Sequence, residues 1–92
     1  MAELLYEHWE DADGSQFGAV SESSDRLVSM TPRARFVFSV MASTHEEAMQ
    51  AQYDRLGYGT YNRMPGVTDV PFSDDDAAKQ QAYLRVRRMP GG

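Results

Sequence analysis

His8 and His45 are the only imidazoles in the chain, and there is no cysteine. Nucleophilic catalysis would set one of them beside a serine and a carboxylate, and no G-x-S-x-G turn presents such a serine. His8 lies among Glu7, Trp9 and Glu10, where an extended chain puts it on one face with Glu10; two ligands do not close a metal site. Asp11-x-Asp13-Gly14 has the start of a calcium-loop pattern. Aligned on its glycine, however, it sets Trp9 at the first ligand position and Val20 at the bidentate one. Gly57-Tyr58-Gly59 follows a helical stretch rather than a strand and lacks the third glycine of a nucleotide loop. No carboxylate sits inside an apolar run that would raise its pKa for acid catalysis. The sequence thus predicts no catalytic residue, no metal site and no cofactor.

Binding is the chemistry that remains. Trp9, Tyr58, Tyr61 and Arg63 lie at or beside turns, and Trp, Tyr and Arg dominate the energetics of protein interfaces. They form the expected contact surface for a protein partner or for a second copy in a homodimer. The competing reading folds Tyr58 and Tyr61 back over a helix end to enlarge a small core.

Charge is unevenly placed. Residues 1–25 hold seven acids (Glu3, Glu7, Glu10, Asp11, Asp13, Glu22, Asp25) and no base, whereas residues 26–92 hold seven acids and nine bases. Either the arginines of the second part balance those acids in space, or an acidic face imitates nucleic acid as an inhibitor. A net charge of −5 argues against the chain itself gripping a phosphate backbone.

The chain ends Arg87-Arg88-Met89-Pro90-Gly91-Gly92. Gly91-Gly92 after a basic, apolar stretch resembles the tails of ubiquitin-like modifiers and bacterial sulfur carriers. That resemblance implies a β-grasp fold and a C-terminal carboxylate activated by adenylation. A second stretch, Ala42-Ser43-x-x-Glu46-Glu47-Ala48-Met49, then Tyr53 and Gly57-Tyr58-Gly59-x-Tyr61, is similar to a segment of small bacterial proteins without an assigned activity.

Punctuation by Gly and Pro sets out the elements. Leu4 to Glu10 and Phe17 to Ser21 predict a hairpin about the turn Asp11–Gly14, with Gly14 free to take positive φ, although Leu5, Trp9 and Ala12 also recur at helical spacing. Arg26 to Met30 predicts a short third strand ended by Thr31-Pro32. Ala34 to Ala42 predicts the strongest strand, apolar on both faces and hence central, or with one face against a partner subunit. Ser43 and Thr44 each precede a glutamate by three positions, as a capping box requires. Met49, Tyr53 and Leu56 make the stripe of the following helix, and Gly57 its C-terminal stop. Ser73 caps a last helix with Asp74, Asp75 and Asp76 in its first turn, Arg85, Arg87 and Arg88 near its end, and Ala78, Ala82, Val86 and Met89 as its buried stripe; the alternation of Leu84 and Val86 with arginines also allows a strand over Tyr83 to Met89.

The expected fold is one α+β domain over residues 1–92. It comprises a small antiparallel sheet of three to four strands, a central helix at about 44–56 and a C-terminal helix at about 74–89. Ninety-two residues suit a single core. Neither a span of about 20 apolar residues nor a signal peptide is present, so a cytoplasmic protein with no membrane partner is expected.

Overall fold

The computed structural model describes residues 2–62, 65, 66 and 68–88. The chain is α+β. Strands β1 (Leu4–Asp11) and β2 (Gly14–Ala19) are followed by helix α1 (Glu22–Met30), strand β3 (Arg35–Ala42), and helices α2 (His45–Leu56) and α3 (Asp74–Val86). The three strands form one antiparallel sheet in the order β2-β1-β3.

The hairpin turns where the sequence places it. Asp11 Oδ1 accepts the Asp13 N–H at 2.7 Å, an Asx turn that closes the loop without Gly14 taking positive φ. Tyr6 then lies between Ala19 and Val40, and its ring packs on Phe17 and Phe72. Leu4, Tyr6, Ala42 and Ala48 are the buried centre, joined by Phe17, Val40, Phe72 and Ala77. The alternation that puts Tyr6 and His8 on this face puts Glu7 and Trp9 on the other.

Residues 26–30 are helical rather than the expected third strand. Ser21 Oγ accepts the Ser24 N–H while Ser24 Oγ accepts the Ser21 N–H, which starts a helix at Glu22. Arg26 bonds back to Glu22 at 3.0 Å, one turn away. Only Val28 of the apolar residues in α1 is buried; Leu27 and Met30 face outward, so no apolar stripe announces this helix.

The sheet order makes β1 central, not residues 34–42. Among the described residues β3 pairs with β1 alone and forms an edge. Phe38 and Val40 point toward α2, while Val37, Ser39 and Met41 are exposed. α2 begins at the Thr44 frame of the two alternatives, with Thr44 Oγ1 accepting the Glu47 N–H. Gly57 ends it in the left-handed region at φ 76°. Ala48 and Gln52 are its buried residues, and Met49, Tyr53 and Leu56 are half-buried.

α3 opens with the Ser73–Asp76 capping box and stops at Val86. Its inward face is Ala77, Gln80, Tyr83 and Leu84, while Ala78, Ala82 and Val86 are exposed. The rotation has a cause. Gln80 accepts the Leu5 N–H at 2.7 Å and donates to the carbonyls of Leu5 and Val20 at 2.9 and 3.0 Å. That amide extends the hairpin ladder past Ala19 and fixes which side of α3 meets the sheet. Met89 lies outside the described residues.

Between α1 and the hairpin is a cavity of about 230 Å³, lined in part by Trp9, Gly18, Val20 and Val28. A Cβ added at Gly18 would meet nothing within 4 Å. Gly18→Ala should therefore stabilise the fold by roughly 0.5–1 kcal/mol, by narrowing the unfolded ensemble and occupying empty space. Thermal unfolding would register this as an upward shift of several degrees.

Candidate functional site

The residues expected to form one contact surface are separated. Trp9 is 5% exposed; its indole N–H donates to Glu7 Oε1 at 3.1 Å, and its ring meets Phe36 edge-on at 5.7 Å. As the central strand, β1 loses both faces to packing, so Trp9 joins the interior. Tyr58 and Tyr61 stand edge-on against Tyr53 at 5.5 and 5.2 Å, folded back over the end of α2. Gln50 pins that loop, accepting the Tyr61 N–H at 2.9 Å and donating to the Gly59 carbonyl at 3.1 Å. Tyr61 is half-buried, while Tyr58 remains largely exposed. Arg63, Gly91 and Gly92 lie outside the described residues.

Both histidines are engaged. His8 is 1% exposed and stacks flat on Phe38 at 4.8 Å. Its Nδ1 is 3.1 Å from Gln52 Nε2, an amide donor, so Nε2 carries the proton and donates to Glu10 at 3.0 Å. His45 Nδ1 is 3.2 Å from the Tyr6 hydroxyl. Among the described residues no group of three or more His, Asp or Glu is placed to hold a metal ion. Among them, too, no helix is long and apolar enough to cross a membrane.

The N-terminal acids are balanced in space. Arg87 reaches from the end of α3 into a buried cluster. Its Nη1 donates to Glu7 at 2.9 Å; its Nε and Nη2 donate to Asp25 at 2.8 and 2.9 Å. The Tyr83 hydroxyl donates to Asp25 as well. Glu7, Asp25 and Arg87 side chains are each less than a tenth exposed. Glu10 meets Arg35 at 3.1 Å and Glu22 meets Arg26 at 3.0 Å. Four of the seven acids in residues 1–25 thus face a base.

The cluster has a pH signature. Tyr83 is pushed up to about 12, first by its bond to the Asp25 carboxylate and then by burial. Tyr6 is pushed up to about 12 by burial and by the charge of Asp69. A phenol whose folded pKa exceeds its unfolded value stabilises the fold below the unfolded value, and that stability is lost as pH rises through the folded one. Stability should therefore decline between about pH 10 and pH 12. In a phenolate absorbance titration, two of the five tyrosines should ionise near the top of that window. Tyr83→Phe should remove one of the two and soften the decline; an unchanged profile would contradict the assignment.

β3 carries three exposed apolar side chains within one strand. Phe36 is 44% exposed, Val37 37% and Met41 48%. Val37 has no partner on β1, because the register shifts between His8 and Trp9 and leaves it as the extra residue of a bulge. Trp9 and Phe36 face each other across the strands, as do Leu5 and Met41, with Glu7 opposite Ser39 between them. Compared with protein-family models, with curated proteins and with solved structures, the chain matches none significantly. The functional reading therefore rests on this geometry. Exposure on β3 was legible only as two-sided hydrophobicity, since the sequence does not say which strand lies at the edge.

Proposed function

We propose that this protein is a non-enzymatic interaction module that takes an extended strand onto the open edge of β3. The observation that supports it is an eight-residue edge with exposed Phe36, Val37 and Met41 and, after Arg35 at its start, no charged residue or proline. Soluble proteins usually blunt such edges with charge or proline, because unpaired N–H and C=O groups template strand addition. An edge kept apolar suits main-chain pairing as its use, with alternate side chains supplying selectivity. The non-enzymatic part of the reading is supported by the histidines: His8 is sealed from solvent with both ring nitrogens bonded, and His45 is held by Tyr6.

The test is partner capture by the full chain carrying Val37→Lys and Met41→Lys. Both side chains already face solvent, so the fold should persist with an unaltered far-ultraviolet spectrum. Loss of every partner captured by the parent protein is expected, because lysines on an edge oppose pairing. Undiminished capture by a folded double variant would refute the β3 reading.

A further inference from the structure

We propose that the cavity between α1 and the hairpin binds a small primary amine with an apolar body, its ammonium group against Glu7 and Asp25. Among the described residues, those lining the cavity come from β1, β2, α1 and Val20 and none from β3, so this site is independent of strand capture.

A glycine makes the space. Gly18 stands opposite Glu7 across the hairpin and brings no side chain onto the face that α1 covers. Of the apolar residues in α1, only Val28 is buried there. The walls are Trp9, Val20 and Val28, all buried, and the half-exposed Leu27 stands at the rim. An apolar cavity of about 150 Å³ stays dry and accepts benzene. This one, at about 230 Å³, has room for such a ring and a short substituent. It is too small for a drug-sized ligand, whose sites begin at about 300 Å³.

Charge selects the substituent. Glu7 and Asp25 share one cation, Arg87, and all three side chains are less than a tenth exposed. The cluster therefore keeps one negative charge in excess inside the protein. Trp9 and Tyr83 donate hydrogen bonds to it but carry no charge. Buried charge is costly unless paired, so a cation at this wall is favoured over a neutral group or an anion. Acceptors for it are present. Among the described residues Glu7 Oε2 and Asp25 Oδ1 each accept a single bond, from Arg87, whereas a carboxylate oxygen has about two lone-pair sites. An ammonium group brings three donors.

The test is a titration of the full chain with benzylamine, benzyl alcohol and benzoate near pH 7. Trp9 is the only tryptophan, so its fluorescence and its indole N–H resonance report on the cavity wall. Benzylamine is expected to give saturable changes with half-saturation on the order of 1 mM. Benzyl alcohol, of the same shape without the charge, should bind at least tenfold more weakly, and benzoate should give no response. Gly18→Leu fills the cavity and should abolish the benzylamine response while thermal unfolding stays cooperative. Nuclear Overhauser contacts between the benzylamine ring and the Val28 methyls give the same location without any substitution. Glu7→Gln removes the excess charge and should bring benzylamine and benzyl alcohol to similar affinity. Benzyl alcohol binding the parent protein as tightly as benzylamine overturns the amine. No response to benzylamine at about 20 mM overturns the cavity as a binding site. A response that persists in folded Gly18→Leu, with no contact to Val28, overturns the location.

Discussion

Replacing Arg87 with alanine is expected to destabilise the protein by about 3–5 kcal/mol, because it leaves two buried carboxylates facing each other without their cation. The guanidinium donates to both Glu7 and Asp25, and bonds to Glu7 first of all hold it firmly in its charged form. Domains of this size have roughly 5–15 kcal/mol in total, and each kcal/mol moves the melting temperature by about 4–8 °C. The variant should thus melt at least 12 °C lower, or be unfolded at room temperature. Its pH dependence identifies the cause. Without the cation, Glu7 and Asp25 favour their protonated forms in the fold, so the variant should regain stability as pH falls toward about 4. A cavity left by a missing side chain would show no such recovery. The triple variant Glu7→Gln, Asp25→Asn, Arg87→Met is the second control: neutral groups of similar shape should restore most of the loss. Equal loss in the triple variant would mean that packing, not charge, holds the end of α3.

The second large effect is expected at Gln80, which is 6% exposed and spends its whole amide on main-chain groups of the hairpin. Gln80→Leu keeps the volume but leaves the Leu5 N–H without an acceptor, at a cost of about 2–3 kcal/mol. The Leu5 carbonyl keeps the Val20 N–H at 2.9 Å, so the hairpin itself should persist. Hydrogen exchange should show this locally: the Leu5 amide should lose protection by the largest factor, and amides in the middle of β1 by much less. Gln80→Glu retains an acceptor but turns a charge toward the carbonyls of Leu5 and Val20. It should be the worse variant at neutral pH and approach Gln80→Leu in acid. A Leu5 amide that stays protected in both variants would contradict this account of how α3 is attached.

Much of the element list follows from local chemistry. Asp11, Asp13 and Gly14 make a turn whatever surrounds them, and the Ser73–Asp76 and Thr44–Glu47 caps start helices by bonding to their own neighbours. Gly57 ends α2 because its conformation is open to glycine with little strain. α1 was hidden because its cap uses two serines, Ser21 and Ser24, and its two outward apolar residues, Leu27 and Met30, blur the helical period.

What tertiary structure decided is position. Strand order made Trp9 interior and left Phe36, Val37 and Met41 exposed, although the same alternation of residues would serve a central β3 equally well. Gln80 and Arg87 looked like ordinary surface residues of a helix. Only when α3 lies across the hairpin and α1 do they meet unpaired main-chain groups and two carboxylates more than 50 positions away. Sequence alone fixes a bond when both partners sit within one turn of each other. Long-range burial depends on how the sheet is ordered, which no local pattern encodes.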